Sequence, residues 1–156
     1  MASILFVCLG NICRSPTAEG LLRKQAADAG LAGIVIDSAG TGDWHVGHPP
    51  DRRAIAAAKR RGTEISHLRA RQVERDDFYR FDFIIAMDRS NYRALEALAP
   101  PDASAQLSMM LDFSSHHQGD VPDPYFGGTD GFEAVLDMLE TANRGLIAHL
   151  RAKMRS

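Results

Sequence analysis

Ile4-Leu5-Phe6-Val7-Cys8-Leu9-Gly10-Asn11-Ile12-Cys13-Arg14-Ser15-Pro16 opens on an apolar run and closes on a helix start, and the segment from Cys8 to Ser15 between them decides how the chain is read. Ile4–Val7 is too short for a helix and rich in β-branched and aromatic side chains, so it reads as a buried strand. Pro16 suits a first helical position, with Ser15 as its N-cap. A loop running from a strand into a helix N-terminus turns successive backbone N–H groups inward, and the helix's partial positive charge makes the concavity a site for a tetrahedral oxyanion. Gly10 and Asn11 tolerate positive φ, and Arg14 offers a planar fork matched to two phosphate oxygens. Cys8, at the strand's end, faces the floor of this cradle. A free thiol has a pKa of about 8.5, which helix N-termini and cations lower to about 3.5–7.5, so Cys8 is a candidate nucleophile. Ser15 is placed to donate a hydrogen bond to the sulfur. The bland alternative, a small buried hydrophobe ending a strand, does not account for the Cys-x5-Arg-Ser spacing. A nucleotide P-loop is excluded by the missing Gly-Lys-Ser/Thr ending.

Outward from this loop, three further runs read as strands: Gly33–Ile36, Phe81–Ala86 and Leu107–Leu111. Helical patterns lie between and after them: Pro16 to Gly30, Arg52–Arg61 closed by Gly62, Ser90–Ala99 halted by Pro100, and Phe132–Lys153. In the last, Phe132, Val135, Leu136, Leu139, Ala142, Leu146 and Leu150 form one apolar stripe. Alternating β and α elements predict an α/β three-layer sandwich, a four-stranded parallel sheet flanked by helices on both faces with the anion-binding loop after the first strand. Ligands of such sheets bind beyond the carboxyl ends of the strands. The 156 residues, 45% hydrophobic and 24% charged, are read as one domain over 1–156.

Eighteen Lys and Arg against twenty Asp and Glu leave a formal charge of −2, so nothing draws the chain toward nucleic acid or an anionic membrane. The apolar start is too short for a membrane span and lacks the parts of a signal peptide, making the cytoplasm the expected location. Two cysteines are too few for a disulfide scaffold and wrongly spaced for paired zinc ligands.

The segments CLGNICRSPTAEG (8–20), DSAGTGDWHVGHPPD (37–51) and VPDPYFGG (121–128) resemble the low-molecular-weight protein tyrosine phosphatases over nearly the whole chain. The resemblance implies metal-independent and cofactor-free hydrolysis of protein phosphotyrosine through a phosphocysteine intermediate, with Cys8 as nucleophile, Arg14 as phosphate clamp and Asp123 as general acid and base. By composition alone Asp123 is a turn residue between two prolines; the matching Asp-Pro-Tyr motif makes it the acid. The family also implies that Asn11 is tied to Ser38 and His67, supporting the loop beside Ser15. On their own these three read equally as an αL turn, a strand-end cap and a surface histidine. Cys13 reads either as a packing residue at the helix start or, as the resemblance favours, as the partner of Cys8 in a reversible disulfide that protects the nucleophile from over-oxidation.

Trp44, Tyr125 and Phe126, aromatic in Gly/Pro-rich segments, are expected to wall a slot deep enough for phosphotyrosine, together with Ile12; Trp44 otherwise pins its own loop. It also sets the chain nearer the eukaryote-like branch of the family. Asp88, Arg89 and Asn91 follow the third strand and are expected at the edge of the pocket, with a helix cap as the other role for Asp88. Expected partners are phosphotyrosine proteins, with inorganic phosphate and other oxyanions as competitors, and the chain is expected to be a monomer. Arg60-Arg61, Arg69-Arg71 and Arg75-Asp76-Asp77 read as solvated surface, and His116-His117 near Asp112 and Asp120 as a solvated turn rather than a metal site. Two enzymatic alternatives share this loop. A thiol-linked arsenate reductase needs a resolving cysteine beyond the loop, and none follows Cys13. In related arginine phosphatases a threonine stands where this chain has Ile12. A phosphotyrosine-binding or redox-sensing module is the non-enzymatic alternative, for which a nucleophile plus a separate acid is superfluous.

Overall fold

The computed structural model describes residues 2–155. Strand β1 (Ser3–Cys8) is buried almost throughout, as an apolar run covered on both faces must be. It pairs in parallel with β2 (Val35–Gly40) on one edge and β3 (Phe83–Ala86) on the other, and β3 pairs with β4 (Gln106–Met109), giving the sheet order β2-β1-β3-β4. All four expected strands are present. β2 starts later and runs further than expected, because Gly33 adopts φ 82° in a turn and the chain extends only beyond it, through Asp37-Ser38-Ala39. β4 ends earlier, where Met110–Phe113 tightens into a 3-10 turn.

Helices α1 (Arg14–Asp28), α2 (Arg52–Arg60) and α5 (Thr129–Arg155) cover one face, sharing a core with Ile4, Phe6 and Cys8. The opposite face, Leu5 and Val7, packs with α3 (Asp77–Arg80) and α4 (Arg89–Leu98) through Phe78 and Leu95. The two-residue alternation of β1 therefore sends Cys8 to the α1 side. Every residue of the α5 stripe is buried. A Cβ on Gly145 would lie 1.7 Å from Phe113 O, so α5 crosses the turn after β4 at a distance only glycine allows. Among the described residues no helix is long and apolar enough to cross a membrane.

All three charge runs contribute structural contacts rather than only solvated surface. Arg71 pairs with Asp37 and with the fully buried Asp77, each at 3.0 Å, which joins β2 to the start of α3, a helix too short to show in the sequence pattern. Arg60 and Arg61 clasp α5: Arg60 reaches Glu133 at 2.6 Å, and Arg61 reaches Glu133 at 3.0 Å, Asp137 at 2.9 Å and also Glu140. The Arg60 hydrogen bond, seconded by Arg61, outweighs burial and holds the Glu133 carboxyl below its ordinary value. A carboxylate depressed in the folded state stabilises above its unfolded pKa, and that contribution fades as pH falls through the folded value. Arg61→Met should accordingly cost about 1 kcal/mol at pH 7. In urea titrations the difference from wild type should shrink as pH drops below about 4.3; a gap independent of pH would contradict this clasp.

Candidate active site

The loop that follows β1 closes on Cys8, which is only 2% exposed. Asn11, with φ 57°, is the one non-glycine of positive φ among the described residues, and this turn aims its N–H at Cys8 Sγ, 3.3 Å away. Ser15 Oγ lies 3.0 Å from the same sulfur. The Asn11 side chain is spent in full. Its Nδ2 donates to Ser15 Oγ at 2.8 Å and to Ser38 Oγ at 3.0 Å, while Oδ1 accepts the Arg71 N–H at 3.0 Å. Ser38, in mid-strand rather than at a strand end, donates in turn to Oε1 of the buried Glu19 at 2.8 Å, and Arg23 meets the other oxygen of that carboxylate at 2.9 Å. His67 does not join this network: it is exposed, and both amide hydrogens of Asn11 already go to serines.

Two further expectations for the loop are corrected. α1 begins at Arg14, with Cys13 rather than Ser15 as its N-cap and no side-chain cap, since the Ser15 hydroxyl is turned to the sulfur. Gly10 is needed for close approach rather than for positive φ, because a Cβ there would sit 2.9 Å from the His45 ring. The end of β2 backs the loop. Thr41 N donates to Cys8 O and Gly42 N to Leu9 O, both at 2.9 Å, and a Cβ on Gly40 would stand 2.8 Å from Leu9 O.

Arg14 is buried, with one guanidinium nitrogen held by Asp88 at 2.7 Å and by Val121 O at 3.0 Å. Burial opposes its charge, but the opposing charge of Cys8 and the Asp88 hydrogen bond more than offset this, and its pKa rises above the ordinary arginine value. Asp88 also caps α4 by accepting Asn91 N–H at 2.7 Å, the second of the two roles foreseen for it. It acts behind Arg14 and not on the pocket wall. Asn91 likewise lies buried in the first turn of α4, away from the cavity it was expected to edge.

The second loop arrives from β4. Val121 N–H donates to Met87 O at 2.8 Å, fixing the approach. Asp123 Oδ1 then accepts Tyr125 N–H at 3.0 Å and caps the 3-10 turn Pro124–Phe126, while Oδ2 faces Arg14 Nη2 at 3.5 Å. Turn residue and acid candidate are thus the same side chain, one oxygen for each task. His116 and His117 donate their backbone N–H groups to Ser114 Oγ, and Asp120 accepts Arg89 N–H at the α4 start, the local turn expected of that stretch.

Cys8, Arg14 and Asp123 line one cavity of about 220 Å³. Leu9, Gly10, Ile12 and Cys13 also line it; Trp44, His45, Tyr125 and Phe126 form its mouth. Trp44 is 68% exposed and its ring folds over Gly42, where a Cβ would come within 1.9 Å, so it both pins its loop and walls the opening. Both cysteines are free and buried. Burial first, then Asp51 and Cys8, pushes the Cys13 thiol far above its ordinary value. The sequence reading passed over His45, Glu19, Asp51 and Arg53. Asp51 carried a visible signal, an N-cap residue after Pro49-Pro50 and before a helical run, and it does cap α2 through Arg53 N–H at 2.8 Å.

The profile of the family described as low molecular weight phosphotyrosine protein phosphatase matches residues 3–156. The chain belongs to this family. A putative low molecular weight protein-tyrosine-phosphatase of Synechocystis is 48% identical over 150 residues, covering 94% of this chain and 95% of the relative. Among solved structures of the family's fold, a protein tyrosine phosphatase of Entamoeba histolytica with Hepes in its active site superposes with TM-score 0.94 at 40% identity, covering 99% of each chain. A Drosophila arginine phosphatase superposes with TM-score 0.89 at 32% identity, covering 94% of this chain and 96% of its own.

Proposed function

We propose that residues 1–156 form one catalytic unit that hydrolyses protein phosphotyrosine without metal or cofactor. The observation that carries this reading is the convergence of Cys8, Arg14 and Asp123 on a single cavity with an aromatic mouth. The phosphate of an incoming phosphotyrosine takes the place of Asp123 as partner of the Arg14 fork, and the loop N–H groups receive the remaining oxygens. Cys8 Sγ attacks phosphorus; the S–P bond forms as the P–O bond to the tyrosyl oxygen breaks, and Asp123 passes its proton to that oxygen. In the second step the Asp123 carboxylate takes a proton from water, the water oxygen attacks phosphorus, the S–P bond breaks, and inorganic phosphate leaves. Asn11 N–H and Ser15 O–H hold the sulfur both as attacking anion and as leaving group. Ile12 and the Trp44 and Tyr125 rings grip the aromatic ring of the substrate, Phe126 extends the rim, and Ser38 keeps Asn11 in place.

The chain acts as a cytoplasmic monomer in this reading, inhibited competitively by phosphate and other oxyanions. Peroxide oxidation of the Cys8 thiolate gives a sulfenic acid, which Cys13 converts to a Cys8–Cys13 disulfide with release of water. The raised Cys13 thiol makes that second step slow.

Steady-state hydrolysis of phosphotyrosyl, phosphoseryl and phosphoarginyl peptides in chelator is the test. Turnover of phosphotyrosine well above the other two is expected. Activity confined to phosphoarginine would transfer the assignment to the arginine phosphatases, and no activity on any peptide by reduced protein would favour a binding or redox-sensing module.

A further inference from the structure

Asp51 and Arg53, at the start of α2, belong to neither loop yet touch both. Asp51 N–H donates to Ile12 O of the anion loop at 2.8 Å. Its carboxylate takes the Arg53 guanidinium through two contacts of 3.1 Å, from Nε and from Nη2. The other face of the fork goes to the acid loop: Nη2 donates to Tyr125 O at 2.8 Å and Nη1 to Gly127 O at 3.0 Å. The same guanidinium lies 4.8 Å from the Phe132 ring centroid and 5.7 Å from that of Tyr125. A surface ion pair alone is worth little, but a rigid planar fork shared between a carboxylate and two backbone carbonyls fixes three segments against one another. Those carbonyls belong to the turn that Asp123 caps. Among the described residues the only charged partner of Asp123 is Arg14, which the phosphate claims in the reading above, so once substrate is bound the acid loop is held by tethers that do not depend on the phosphate, the Val121 N–H to Met87 O bond before Asp123 and the Arg53 fork after it.

We propose that Arg53 is a positioning residue for the general acid, setting the distance between Asp123 and the Cys8 loop through the chain Ile12–Asp51–Arg53–Tyr125. The inference rests on the assignment of Asp123 above. An acid that is out of place matters most when the leaving oxygen is basic and needs its proton early, and a displacement of about 1 Å costs up to about 100-fold.

The test is kcat/KM for Arg53→Ala and Arg53→Lys over aryl phosphates, from 4-nitrophenyl phosphate, whose leaving phenol is acidic, to a phosphotyrosyl peptide. In Arg53→Ala, the ratio of phosphotyrosyl to 4-nitrophenyl kcat/KM should fall by about tenfold or more relative to wild type. Arg53→Lys, which keeps the charge but cannot serve Asp51 and both carbonyls together, should show a smaller fall in the same direction, and it carries the test if the alanine variant does not fold. In an Asp123→Ala background the Arg53 substitution should add little further selectivity. An equal loss across the series, or a full additional loss in the Asp123→Ala background, would overturn the proposal. Wild-type protein inactive on phosphotyrosine, or a leaving-group dependence untouched by Asp123→Ala, would instead overturn the functional reading on which it rests.

Discussion

Cys8→Ser should lower phosphotyrosyl-peptide turnover by at least about 10⁴-fold while leaving the affinity for inorganic phosphate within a few fold of wild type. The size of the expected loss follows from what surrounds the position. Asn11 N–H and the Ser15 hydroxyl both address the sulfur, and neither is a base. A thiol is intrinsically far more acidic than a hydroxyl, so a serine there would need a neighbouring group to take its proton, and the loop holds none. Phosphate binding depends on other parts, the loop N–H groups and Arg14, which the substitution leaves in place. Peptide turnover together with calorimetric titration of phosphate reads both quantities; turnover within about 100-fold of wild type would remove Cys8 as nucleophile.

Asp123→Ala should cost about 10²–10⁴-fold in kcat/KM on the same peptide, the usual range for a positioned acid. It removes a carboxylate that stands 3.5 Å from Arg14. Phosphate affinity should hold or rise, since nothing then competes for the guanidinium. Loss of phosphate binding in step with turnover would show that Asp123 supports the loop rather than the chemistry. The cap it provides to the 3-10 turn bears on that distinction. Asp123→Asn keeps an oxygen for Tyr125 N–H and loses only the proton, so it should be as inactive as the alanine variant yet fold with wild-type stability by urea titration.

The loop around Cys8 was legible because its signals are local. A strand of four apolar residues, a Cys-x5-Arg-Ser spacing and a proline at the helix start all lie within one stretch of chain, and the residues they name meet in the structure. Element boundaries were less so. Ser15 satisfies every local rule for an N-cap, but its hydroxyl finds the Cys8 sulfur, a tertiary partner that overrides the local preference. His67 was placed by likeness and Asn91 by position after a strand; His67 is exposed while Asn11 Oδ1 takes the Arg71 N–H, and Asn91 is buried in the first turn of α4, its N–H held by Asp88. Arg71, Asp77, Arg60 and Arg61 read as surface because charge runs carry no mark of what faces them; Arg71 and Asp77 face each other, and the remaining partners come from β2 and α5. Arg53 was invisible for the same reason, since a carbonyl acceptor has no side-chain identity.

The hydrogen bonds from Asn11 through Ser38 to Glu19 have one direction only. With Asn11 Oδ1 committed to Arg71 N–H, the amide cannot flip; both serines must then accept from it, so Ser38 sends its hydrogen to Glu19, and Ser15 divides its own between the sulfur at 3.0 Å and Ala39 O at 3.4 Å. Only the Ser15 hydroxyl keeps a choice of acceptor, and the sulfur is the nearer one. In solution, dipoles around a nucleophile must swing into place as its charge moves onto the substrate and back, and that reorganisation is a large part of a reaction barrier. Here the orientation is completed when β2 docks on β1, before any substrate arrives. Around Cys8 the protein thereby supplies dipoles already set in the arrangement that an anionic sulfur requires.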